Sequence, residues 1–317
     1  PAPSIRSQTQ FQDRYGCFVP DTPADKTSPV ANVDSAVVEA FGHEWTRFSN
    51  DELGDDELAD MFDAYTSTFP WADLPEGAVG FDAGCGSGRW ARFFAPRVGL
   101  LHCIDASSAA IAVARSTLSD VPNVKYHHSD LTNMDVDDGS CDFGYSLGVL
   151  HHVPDTVIAT RTWAMKLKPG APFLVYLYYD LEGENLFRRQ LLGVITGMRY
   201  VIARLPRLVR TAVADVIAAV AYLPLARSAK FIERLGGDPS WLPLFQYRNR
   251  SFYVMRNDSL DRFGTRLEKR FSRQEVRQLL EDAGLERVTF APGPPWWVAT
   301  AWKPALDKLT RSEQQAQ

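Results

Sequence analysis

The chain has 317 residues, 45% of them hydrophobic, and a net charge of −5. That length suits one large α/β domain with additions, or two domains, around a sizeable core. The negative balance offers no general basic surface to nucleic acid. The four cysteines, Cys17, Cys85, Cys103 and Cys141, lack CxxC spacing, so no metal site is expected.

Residues 1–40 are rich in Pro, Asp, Thr and Ser and read as a loosely structured arm. The first residues carry no apolar targeting core, and no uncharged apolar run reaches the ~18 residues that span a bilayer. A cytoplasmic protein with reduced thiols and no membrane span is the expectation. Residues 1–76 hold fifteen acids against four basic residues. They form an arm and a cap, with the run DELGDDELAD as a solvated helix face.

Residues 77–180 alternate short apolar runs with helical stretches: GAVGFDAG, LLHCIDA, NVKYHHSD, CDFGYSLG and APFLVYLYY. Such alternation predicts βαβ units and a parallel sheet. Residues 181–250 break it with a helical insertion after the fifth strand, interrupted by Pro206 and Pro224. From 185 to 235 this insertion has nine Arg or Lys and two acids. Its helices read as too short and too charged to span a membrane, and as needing burial on the pocket rim or on a second subunit. A lid or a homodimer contact follows. Residues 251–303 complete the core, with a capping box from Ser272 to Glu275, and 304–317 form a polar tail.

The sharpest motif is the strand and turn Val79-Gly-Phe-Asp-Ala-Gly-Cys-Gly-Ser-Gly88. Gly84, Gly86 and Gly88 let the backbone approach a ligand and take positive φ. A dinucleotide fingerprint would read G-x-G-x-x-G/A. Here Arg89 occupies the third glycine's place, where it would block close helix–strand packing. Asp82 precedes the turn, placed to bind a ligand amino group or to hold the loop. Asp105 ends the second strand, over the crevice where an acid can accept both hydroxyls of a ribose; an N-cap role is the plain alternative. Asp130, followed by Leu131, ends the third strand. His151 and His152 follow the fourth strand, which ends at Leu147, and either suits a general base. His127 and His128 read as structural.

Three acids ending successive strands, the glycine turn, the segment from Cys141 to Asp155 and Lys168-Pro-Gly170 together resemble the class I, Rossmann-like S-adenosylmethionine-dependent methyltransferases. The resemblance covers about 77–180 and 270–303. It implies a doubly wound, seven-stranded, mostly parallel sheet with helices on both faces. It also implies that the last strand, 296–303, is antiparallel and inserted beside its predecessor. It implies S-adenosyl-L-methionine as cofactor, Asp130 on the adenine amino group, Leu131 on the ring, and Ala106 and Leu147 bordering the cofactor. Trp45, Arg47 and Phe48 are candidates to close over it, Arg47 by pairing with the methionyl carboxylate. Tyr176, Tyr178 and Tyr179 read as packing.

FGHEWTRF and LDRFGTRLEKRFS resemble a subset associated with glycan and natural-product pathways. A small-molecule acceptor is expected, first a hydroxyl of a sugar or natural-product intermediate, with a lipid or quinone as the alternative. The absence of an Asn/Asp-Pro-Pro-Tyr/Phe motif after the fourth strand disfavours nucleic-acid or protein-amide acceptors. A nicotinamide-dependent oxidoreductase and a non-catalytic methyltransferase-like binding protein are the competing classes.

Overall fold

A computed structural model describes residues 32–49, 53–180, 186–293 and 297–305. Cys17, the arm before Asn32 and nearly all of the tail lie outside the described residues. The seven strands are β1 (Val79–Ala83), β2 (Leu100–Asp105), β3 (Val124–His128), β4 (Phe143–Leu147), β5 (Pro172–Tyr176), β6 (Glu286–Phe290) and β7 (Val298–Trp302). Their order is β3-β2-β1-β4-β5-β7-β6. The first five run parallel, and β7 lies between β5 and β6, antiparallel to both. β1, which carries the start of the glycine turn, is therefore an inner strand.

The strands read as continuous apolar runs because both sheet faces are covered. Period-two alternation sends Phe173 and Val175 of β5 into one core and Leu174 into the other. Among the described residues, ten α-helices accompany the sheet: α1 (Ser35–Arg47), α2 (Asp55–Tyr65), α3 (Ala91–Phe94), α4 (Ser108–Thr117), α5 (Thr156–Lys166), α6 (Leu186–Ile202), α7 (Arg207–Ile217), α8 (Leu223–Arg234), α9 (Phe252–Gly264) and α10 (Arg273–Asp282). α5 and α10 cover one face with Trp163, Val276 and Leu280. α2, α3 and α4 cover the other with Phe62, Phe94 and Ile111.

Local chemistry sets several helix starts. Asp34 caps α1 by accepting from the amides of Ala36 and Val37, so helix begins inside the stretch read as a loose arm. Asp55, Asp56 and Glu57 sit in the first turn of α2, where negative charge suits the helix dipole. The predicted capping box of α10 is present in both directions.

The insertion departs from the sequence reading. Pro206 does end a helix and serves as N-cap of α7. Pro224 interrupts nothing, because a π-helical turn at Ala218–Tyr222 immediately precedes it. The widened turn accommodates a ring that lacks an N–H and would clash with a regular α-turn. Arg207–Arg234 is consequently one continuous helix of 28 residues, long and apolar enough to cross a membrane by length and composition. The expectation that the insertion's helices are too short to span is corrected, while the longest uncharged run in this helix is only 216–226. One such helix is weak grounds for a span.

Candidate active site

The glycine turn folds back over β2. The amides of Gly84 and Cys85 both donate to the Ile104 carbonyl, at 2.8 and 3.0 Å. Asp105 then ties the loop down: Oδ2 accepts from the Gly86 amide at 2.9 Å and Oδ1 from the Ser107 amide at 2.8 Å. Burial pushes the Asp105 carboxyl upward, and these backbone bonds oppose it. Ser107, not Asp105, caps α4. Gly84, Cys85, Ser87, Asp105 and Ala106 line a cavity of about 440 Å³ at the carboxyl ends of the strands, with Leu131 and Leu147 as apolar walls.

α1 closes this cavity, and helical phase decides which of its residues do so. Asp34, Val37, Val38, Phe41, Glu44 and Trp45 share one stripe, and all line the cavity. A side chain on Gly86, whose φ is 54°, would meet the Trp45 ring at 2.8 Å. Arg47 lies two positions beyond Trp45, about 200° around the helix. It leaves the cavity and pairs with Asp215 at 2.6 Å. The expected contact of Arg47 with a carboxylate in the cavity is therefore corrected. Phe48 is buried against Tyr253, edge to face.

Arg89 occupies the place expected of Arg47. Its guanidinium lies 5.2 Å from the Trp45 ring centroid and 4.5 Å from that of Trp90, on the cavity wall. It has no ion-pair partner among the described residues, and its Nε is buried without a hydrogen bond. Burial pulls its pKa below the usual guanidinium value. A shielded, unpaired cation is costly unless an anion joins it.

Two of the predicted acids lie off the wall. Asp82 is buried behind the loop, with Oδ2 unpartnered, and burial raises its pKa well above the carboxylate range. Asp130 spends Oδ2 on the Asn32 amide at 2.9 Å and Oδ1 on the amide and hydroxyl of Thr132. Asn32 and Leu131 line the cavity in its stead.

The two histidines separate. Leu150–His152 is a 3-10 turn, in which neighbours point about 120° apart. His151 is fully buried, lies off the cavity and stacks on Tyr178 at 3.8 Å. Burial drives its pKa well below the usual value, so it is neutral and unsuited to the predicted base role. His152 lines the cavity. Its Nδ1 lies 2.6 Å from the Leu267 carbonyl, which selects the Nδ1–H tautomer and leaves Nε2 buried without a hydrogen bond. Nε2 is 3.5 Å from Asp261 Oδ1. The Tyr178 hydroxyl donates to Asp261 Oδ2. Burial opposes ionisation of Asp261, yet His152 and Tyr178 together hold its pKa below the carboxylate norm. His127 accordingly reads as structural, its Nε2 lying 2.9 Å from His102 Nδ1 between strands.

A polar stripe on α9 escaped the sequence reading. Asn257, Asp258, Asp261 and Arg262 all face the cavity. Their spacing of one, four and five positions is that of a single helix face. The signal was a run of polar residues inside a helix whose other residues are core. Asn257 donates to Glu44 at 2.7 Å, and burial raises the Glu44 pKa. Tyr176, Tyr178 and Tyr179, read as packing, line the cavity. Among the described residues of the insertion, Phe245, Gln246, Tyr247, Arg248 and Arg250 reach it. Its helices instead pack behind α9, through Ile202, Tyr222, Ala226, Met255 and Phe263.

Residues 81–175 match the methyltransferase domain family. That segment is a methyltransferase domain, set in the seven-stranded sheet. It is 32% identical over 118 residues to phosphoethanolamine N-methyltransferase 2 of Caenorhabditis elegans, a match covering 36% of this chain and 27% of that one. It is 31% identical over 134 residues to the ubiquinone biosynthesis O-methyltransferase of Alkalilimnicola ehrlichii, covering 42% and 52%. The chain thus spans about a quarter to a half of these relatives. A solved SAM-dependent methyltransferase of Methanosarcina mazei aligns over 73% of this chain and 95% of its own, at 17% identity and TM-score 0.44.

The cavity residues fit S-adenosylmethionine. Asp105 presents a carboxylate to a diol, Leu131 and Leu147 offer apolar walls to a flat base, and Arg89 offers a cation to a carboxylate.

Proposed function

We propose that the chain transfers the methyl group of adenosylmethionine to a hydroxyl of a small acceptor, a sugar or natural-product intermediate. The observation that carries this reading is that Asp105 and His152 open onto one cavity. The first suits a cofactor diol and the second an acceptor proton.

Bound adenosylmethionine supplies an electrophilic methyl group. Asp105 and Arg89 hold its two polar ends, and Trp45 covers the loop from above. The His152 Nε2 takes the proton of the acceptor hydroxyl, and Asp261 stabilises the resulting imidazolium. α1 and α2 exclude water from the same space with Trp45, Phe41, Met61 and Tyr65. Tyrosines, Arg250 and Asn257 offer stacking faces and hydrogen bonds to a polyhydroxylated acceptor.

A lipid or quinone acceptor is a second reading. It is favoured by the exposed apolar side of the insertion and by the likeness to a ubiquinone-pathway O-methyltransferase. Incubation with methyl-labelled adenosylmethionine and separate panels of glycosides, phenols, quinols and ethanolamine phosphates distinguishes these. Label in glycosides or phenols supports the first reading, and label in quinols the second. Exclusive labelling of amines sinks both.

A further inference from the structure

The Arg207–Arg234 helix has two unlike sides. Its inner side is fixed to the domain. Ala214, Ala218, Tyr222 and Ala226 are buried, Ser259 donates to the Ala214 carbonyl, and the Tyr222 hydroxyl donates to Asp258. Asp215 is held by Arg47 and Arg256. The outer side is apolar and open: Leu208 is 78% exposed, Val216 58%, Val220 68% and Phe231 62%. A continuous exposed apolar side of this length is unusual for a monomer surface and marks an interaction site.

Charge indicates what covers it. Arg204, Arg207, Arg227 and Arg234 are exposed around this side, and none of the four is in an ion pair among the described residues. The one exposed acid on the helix, Glu233, is neutralised by Arg248 at 2.8 Å. The face is therefore apolar with a basic border that no described acid neutralises, on a chain whose net charge is −5. That combination suits the boundary between anionic headgroups and acyl chains. A membrane-crossing role is not compatible with the inner side, since lipid all round would strip Asp215 and Tyr222 of their partners.

We propose that this outer face docks the protein on an anionic membrane surface, with the helix axis lying along the membrane plane. Val209, Val216 and Val220 enter the acyl boundary, and the arginines meet the headgroups. The inference stands apart from the acceptor's identity, because the face lies outside the cavity lining.

Flotation with vesicles tests it, using pure phosphatidylcholine against an equimolar mixture with phosphatidylglycerol. At least about tenfold more of the chain should float with the anionic vesicles. The enrichment should fall with added salt and be lost in Val216→Asp/Val220→Asp. Thermal stability and adenosylhomocysteine affinity of that variant should match the parent. Equal flotation with both vesicle types, or unchanged flotation of the variant, overturns the proposal. So does light scattering that shows a dimer which Val216→Asp/Val220→Asp dissociates, because the face would then belong to a second copy.

Discussion

Trp45 packs directly over Gly86, so closely that a β-carbon on the glycine would stand 2.8 Å from the indole. Helix α1 and the glycine turn are thereby one device: the cap is seated on the loop it covers. Gly86→Ala should displace Trp45 and strain a backbone held at φ 54°. Adenosylhomocysteine affinity, measured by calorimetry, should fall at least about tenfold, equivalent to about 1.4 kcal/mol. Unchanged affinity would mean that the cap is not coupled to the loop.

The two arginines of the site should behave oppositely. Arg89→Ala should weaken adenosylhomocysteine binding by about tenfold or more, since it removes an unpaired cation from the cavity wall. Arg47→Ala should leave that affinity within about twofold. It should lower the melting temperature by about 1–3 °C through loss of the partly buried pair with Asp215. The reverse pattern would restore Arg47 to the cofactor.

His152→Ala should bind cofactor normally and lose about 10²–10⁴-fold in turnover with whichever acceptor takes up label. Asp261→Asn should lower turnover too, by removing the charge beside Nε2. His151→Phe should retain turnover within about tenfold, because its ring makes only packing contacts, with Tyr178, His152 and Tyr176. Full activity of His152→Ala would leave alignment alone as the source of rate.

Acid sensitivity should come partly from the strand pair His102 and His127. Burial and the neighbouring His127 lower the His102 pKa from 6.5 to about 4. The fold therefore favours its neutral form. Its contribution is complete above the unfolded pKa of about 6.5 and is lost as pH falls through about 4. Between pH 7 and 4 the melting temperature of His102→Gln should decline less steeply than that of the parent. Parallel declines would remove this pair from the account.

Much of this was legible in the sequence because it is written locally. Alternating apolar runs gave the strands, and the glycine spacing with Asp105 marked the crevice. What escaped depends on phase and on partners far along the chain. Arg47 and Trp45 are two residues apart, yet helical rotation sends one to Asp215 and the other to Gly86. His151 and His152 are adjacent, and a 3-10 turn separates them. Asn257, Asp258, Asp261 and Arg262 resemble a solvated helix face until α1 and the insertion enclose them. Pro224 reads as a helix end, and a π-turn absorbs it.

The central claim is that the cavity at Asp105 is an adenosylmethionine site. Calorimetric titration of adenosylhomocysteine into the parent and into Asp105→Ala tests it most directly, with melting curves to verify that both are folded. The account predicts saturable one-to-one binding to the parent and a loss of about 1.5–3 kcal/mol in the variant, as a charged acceptor is stripped from the ribose hydroxyls. Equal affinity in two folded proteins, or no binding to the parent, would contradict it.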